Sequence, residues 1–95
     1  MSGEIGENMI PEIAPTFRFQ WEEAQQCHVI LYPEGMVKLS ASAGQILKRC
    51  DGERTVRDII EDLKPQYPDF DLGADVYKFL EVAYENGWIR AKQST

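Results

Sequence analysis

Apolar and polar positions alternate from Phe17 to Glu22. Phe17, Phe19 and Trp21 fall on one side, and Arg18, Gln20 and Glu22 on the other. A period of two marks a half-buried strand. "EAQQ" interrupts it, and "CHVILY", residues 27 to 32, reads as a second and more apolar strand. "PEG" turns the chain and "MVKL", Met36 to Leu39, runs back. An antiparallel hairpin is expected, with Gly35 supplying the backbone freedom of the turn.

From residue 40 the period lengthens to that of a helix. Ser40 or Ser42 is placed to cap a helix whose stripe is Ala43, Ile46, Leu47 and Cys50. Asp51-Gly52 ends it, with Gly52 in the left-handed conformation that closes helices. Thr55 caps a second helix, with Asp58 at the reciprocal position of a capping box. Val56, Ile59, Ile60 and Leu63 form its stripe, and Pro65 and Pro68 stop it. "DFDLGAD" opens a third, with Val76, Phe79, Leu80 and Ala83 as stripe. Asn86-Gly87 closes it, and Trp88 and Ile89 follow as a short apolar lock.

The order β-β-β-α-α-α predicts an α+β fold. Helices this short do not bury their faces alone, so they pack on one another and on the small sheet. A three-stranded antiparallel β meander followed by three α-helices is winged helix-turn-helix-like. The domain is expected over residues 15–90. Residues 1–14, rich in Gly and Glu, read as a flexible N-terminal arm, and 91–95 as a frayed polar tail.

At 95 residues one domain is the default, and 43% hydrophobic with 27% charged residues is ordinary for a globular one. The formal net charge is -6. An acidic chain is a poor partner for nucleic acid, which needs Lys and Arg to displace counterions, and for anionic membranes. The second helix, "VRDIIEDLK", carries three acids against two bases, and "DVYKFLEVAYEN" three against one. A DNA-binding regulator built on the winged helix is the alternative function, and a steep fall of affinity with salt would reveal it. No run of about 18 apolar residues and no signal-like N-terminus are present, so a cytoplasmic protein is expected.

Candidate chemistry is sparse. One His and two separated cysteines, Cys27 and Cys50, do not make a zinc site. No local spacing suggests a catalytic triad or a phosphate loop. His28 lies within a strand, and Asp58, Glu61 and Asp62 read as a solvated face. No enzyme activity, cofactor or metal is expected. Binding remains. A short strand such as "MVKL" at a sheet edge offers unpaired N–H and C=O groups to another strand. Covered by the arm, or central in the sheet, it would offer nothing.

"FRFQWEEAQQCHVILYPEGMVKLSASAGQILKRCDGERTVRDIIEDL", followed by "DVYKFLEVAYENGWI", resembles the PqqD family over residues from about 11 to 90. Its most specific pieces are "LYPEGMVKL", Ala43 with "IL", "CDGERTV", and Asp75-Val76 with Phe79-Leu80 before Gly87-Trp88. The resemblance implies a peptide chaperone of pyrroloquinoline quinone biosynthesis, without enzyme activity. It would bind the ribosomal precursor peptide PqqA and present it to the radical S-adenosylmethionine enzyme PqqE, which joins a Glu and a Tyr of that peptide. Related winged-helix domains, the precursor recognition elements of modified peptides, take the leader as a strand added to their third strand, in a groove shared with the third helix. Carried over by position, the added strand meets Met36, Val37, Lys38 and Leu39, and the groove wall holds Asp75, Phe79 and Val82. Beside the core stripe of that helix, Asp75 and Val82 lie on one flank and Tyr77 and Tyr84 on the other. The first is favoured, because Asp75 suits a basic leader residue. The same edge predicts an edge-paired or strand-swapped homodimer in concentrated samples.

Overall fold

The computed structural model describes residues 5–68 and 72–92. Its elements are β1 (Pro11–Ile13), β2 (Arg18–Glu22), β3 (Cys27–Tyr32), β4 (Gly35–Lys38), α1 (Ala41–Lys48), α2 (Val56–Leu63), a 3-10 turn (Lys64–Gln66), α3 (Leu72–Glu85) and β5 (Ile89–Ala91). The expected α+β order is present: β2, β3 and β4 form an antiparallel meander in that spatial order, and three helices follow.

Register decides which way each residue of the meander points. Phe19 sits opposite Ile30, and Ile30 opposite Val37, so these share the face that meets the helices. Ile30 is fully buried there, with Phe19 and Val37 packed against the same core. Trp21 departs from the expected burial, being 47% exposed. It stands at the outer end of β2, where its ring meets His28 edge-on at 5.1 Å, and its indole N–H donates to Glu23. Alternation fixed its face and could not show how little of the ring the helices cover at that end of the sheet.

The β3–β4 turn is tighter than expected. Tyr32 pairs directly with Gly35, so Pro33 and Glu34 are the turn and Gly35 is already strand. Gly35 has no positive φ. Its missing side chain makes room for the Tyr32 ring, whose Cζ would lie 3.3 Å from a Cβ there.

The helices begin and end on side-chain chemistry. The Ser40 Oγ accepts from the Ala43 N–H at 3.2 Å. Thr55 and Asp58 complete a capping box at 3.1 and 3.2 Å. At the end of α3, the Gly87 N–H donates to the Tyr84 carbonyl and the Trp88 N–H to the Ala83 carbonyl. This is a Schellman closure, with Gly87 at φ 78. The end of α1 is different. Its C-cap is Arg49, and Gly52 (φ 79) lies further on, in the Asp51 turn leading to α2. The buried stripes, including Leu47, Ile59, Leu63, Val76 and Leu80, converge with Ile30 in one core.

The chain ends form a second sheet that periodicity did not predict. β1 pairs antiparallel with β5, with Pro11 opposite Ala91 and Ile13 opposite Ile89. Residues 11–13, expected in a flexible arm, and Ala91, expected in a frayed tail, are paired backbone. The segment before β1 is held as well. The first turn of a helix has no internal acceptors for its N–H groups. At α2 the Val56 N–H donates to the Met9 carbonyl (2.8 Å) and the Arg57 N–H to the Glu7 carbonyl (3.0 Å). Such backbone pairing leaves no side-chain period to read. The outermost residues of the expected arm and tail, 1–4 and 93–95, lie outside the described residues.

Candidate functional site

β4 is the end strand of its sheet, and no further strand lies beside it among the described residues. In an antiparallel pair, residues alternate between facing their partner and facing away. Tyr32–Gly35 is the pair next to a two-residue turn, and the Leu39 N–H donates to the His28 carbonyl at 3.0 Å. Gly35, Val37 and Leu39 therefore turn their backbone groups inward to β3. Met36 and Lys38 turn theirs to the open edge. Their side chains also point away from the core: Met36 is 40% exposed and Lys38 is exposed, whereas Val37 packs on the core and Leu39 is buried.

Where β4 ends, a cleft of about 310 Å³ opens. Ser40, Ser42, Ala43 and Ile46 form one wall, from the start of α1. Leu63 and Tyr67 come from the end of α2 and the connection beyond it, and Leu72, Asp75, Val76 and Phe79 from α3. The lining is mostly apolar. Asp75, an exposed residue in the first turn of α3, is the one carboxylate among the lining residues. The volume is at the low end for ligand sites, roughly 300–1,000 Å³, which suits side chains of an extended chain.

The seven residues singled out from the sequence thus fall into groups. Asp75 and Phe79 line the cleft. Met36 to Leu39 are the edge that leads into it. Val82 lies outside the lining, 45% exposed, one turn beyond Phe79 on α3. On the opposite flank, Tyr77 and Tyr84 are half-buried against the core and do not line the cleft. Sequence reasoning missed Ser42, Ile46, Leu63, Tyr67 and Leu72 as lining. Ile46 and Leu63 have the spacing of plain stripe residues, and both are buried; the cleft lies against the core they belong to. Tyr67 lies between the two stop prolines and Leu72 is the first residue of α3, positions where no period marks a wall.

The ionisable groups elsewhere have structural explanations. Burial, with Asp51 beside it, pushes the Cys50 thiol up to about 12, so it stays protonated and unreactive. Partial burial raises Asp51, but the N–H groups of Glu53 and Arg54 and the Arg54 guanidinium outweigh it and hold the carboxyl below its usual value. The hydrogen bond from Arg49 lowers Asp62. His28 stacks on Phe19 at 4.9 Å, and a Cβ on Gly44 would come within 2.7 Å of its Nδ1, so α1 lies close over it. Among the described residues, no group of three or more His, Cys, Asp or Glu could hold a metal ion, and no helix is long and apolar enough to cross a membrane.

The protein-family model for coenzyme PQQ synthesis protein D (PqqD) matches residues 27–89, from the start of β3 into β5. The chain belongs to the PqqD family. A protein of Azotobacter vinelandii called PqqA binding protein is 53% identical over 83 residues, covering 86% of this chain and 90% of that one. A PqqA binding protein of Stutzerimonas stutzeri is 49% identical over 90 residues, covering 94% and 98%. Among solved structures, the chain is similar to the solution NMR structure of the PqqD truncation of Methylobacterium extorquens PqqCD. That truncation is a functional, stand-alone recognition element for ribosomally synthesised and post-translationally modified peptides. The TM-score is 0.74 at 25% identity, over 90% of this chain and 94% of that one. The β4 edge and both walls of the cleft lie within the PqqD match, while β1 and the segment before it lie outside.

Proposed function

We propose that this PqqD-family chain is a peptide carrier of pyrroloquinoline quinone biosynthesis. It binds the ribosomal precursor peptide PqqA and presents it to the radical S-adenosylmethionine enzyme PqqE. The observation that carries this reading is the open β4 edge running directly into an apolar cleft, in a chain whose relatives are PqqA binding proteins. PqqA adds as a further strand beside Met36 to Leu39, and its side chains reach toward Asp75, Phe79 and Val82. The domain performs no chemistry of its own. It binds peptide rather than nucleic acid, and it works in the cytoplasm.

Magnitudes support a carrier. A short added strand with a few side-chain contacts is a small interface, at or below about 1,200 Å². Micromolar affinity corresponds to about -8 kcal/mol, within reach when the edge and cleft are preformed. Tighter binding would hinder transfer to the enzyme. In concentrated samples without peptide, two copies pair their edges or swap strands.

The test is an NMR titration of the labelled domain with PqqA. Shifts concentrated at Met36 to Leu39 and at Asp75, Phe79 and Val82 are expected, with an affinity that changes little with salt. Shifts confined to the other face of the sheet, or a steep salt dependence on added DNA, would overturn the reading.

A further inference from the structure

The direction in which each β4 residue faces limits what an added strand can be. We infer that the edge and cleft together recognise a segment with apolar side chains at two positions two residues apart, and an acidic residue between them. The inference rests on the strand-addition reading above and extends it to the peptide's chemistry.

The backbone groups available at the edge belong to Met36 and Lys38, because those of Gly35, Val37 and Leu39 are committed to β3. A strand that bonds to Met36 and Lys38 places two of its residues opposite them and others opposite Val37 and Leu39. Directly opposed residues in a sheet put their side chains on the same face. Peptide residues opposite Val37 and Leu39 therefore point to the helix side. Leu39 is buried there, Val37 packs on the core, and the cleft begins at the next residue, Ser40. Those two peptide positions are apolar, and the one nearer Ser40 enters the cleft between Ile46 and Phe79. Same-face residues of a strand are two apart, roughly 6.5 Å along it. The spacing holds whether the added strand runs parallel or antiparallel.

The peptide residue between them lies opposite Lys38 and points to the outer face with it. Lys38 is exposed and has no ion-pair partner among the described residues. Its strand neighbour in the register is Val29, which offers no charge. An acidic side chain there would gain a cross-strand partner, whereas a basic one would face like charge.

The test combines an alanine scan of synthetic PqqA with a charge swap at Lys38, read by NMR shifts and fluorescence titration. Circular dichroism of each protein variant checks the fold. The two largest losses in the scan are expected at apolar positions two apart. Lys38→Glu should weaken wild-type PqqA about fivefold, and Lys38→Arg should not. Replacing the intervening acidic residue of the peptide by Lys should restore binding to Lys38→Glu. Largest losses at adjacent positions, or at a helical spacing of three or four, with shifts still on β4, would overturn the inference and leave the strand-addition site standing. So would equal binding of PqqA by Lys38→Glu and wild type. Shifts away from β4 would overturn both.

Discussion

The molecule contains two small sheets that solve opposite problems. The β2–β3–β4 meander is joined by short local turns and ends in an uncovered edge. The β1–β5 pair joins segments near the two ends of the chain, and β1 is bonded on both sides. The Gly52 N–H donates to the Pro11 carbonyl and the Lys92 N–H to the Ile10 carbonyl, while Arg90 donates to Glu12 at 2.8 Å across the pair. One sheet keeps backbone groups in reserve; in the other, β1 commits its own to β5 on one side and to the Asp51–Gly52 turn on the other. The lesson is a division of labour. A domain of this size has little stability to spare, so an edge left open for a partner is accompanied by a clasp that ties down the termini.

The strongest way to break this contrast is to remove the clasp. A chain starting at residue 14 loses the packing of Met9 and Ile13 and leaves the first N–H groups of α2 without their acceptors. A loss of roughly 3–5 kcal/mol is expected from urea unfolding. An unchanged urea midpoint would show that β1 is dispensable.

Two proline substitutions sharpen the contrast inside β4. Val37→Pro removes an N–H that faces β3 and, by leaving the β3 carbonyl unpaired, should cost about 1–3 kcal/mol. Lys38→Pro removes one that faces the open edge, so stability should change by less than about 1 kcal/mol. PqqA affinity, however, should fall at least about tenfold. If both variants lose equal stability, the assignment of inward and outward residues is wrong.

Phe79→Ala, on the cleft wall, should weaken PqqA by about tenfold, as loss of a central aromatic contact does. Tyr84→Ala, on the other flank of α3, should lower the melting temperature without that loss. Reversed outcomes in isothermal titration would move the site to the tyrosine flank.

The smallest effect concerns acid. Asp51 and Asp62 are held below their usual values by neighbouring donors and arginines. Each contributes stability above its unfolded value, near pH 4, and that contribution fades as pH falls through its lower folded value. Both are exposed, so the change should be slight and should shrink with salt. A melting temperature that rises between pH 5 and pH 3 would contradict it.

How much was legible follows from the range of each interaction. The capping box of Thr55 and Asp58, the Gly87 closure and the stripes Val56–Ile59–Leu63 and Val76–Leu80–Ala83 are local, and local chemistry is written in neighbouring residues. The hairpin from Cys27 to Leu39 was equally readable, because its pairing needs only a short turn. Asp75 and Phe79 were placed by resemblance to a family, and Met36 to Leu39 by both pattern and resemblance.

The sequence by itself determined the helices and the meander. Tertiary structure decided three things. It paired Pro11–Ile13 with Ile89–Ala91, partners separated by nearly the whole chain. It gave Tyr77 and Tyr84 to the core and turned Asp75 and Phe79 to the cleft. It also left β4 at the end of its sheet, with Ser40 and the start of α1 forming a wall beside it. Each depends on which surfaces meet after the local elements exist. Long-range backbone pairing and the choice of which faces meet set that outcome, and neither leaves a period in the sequence.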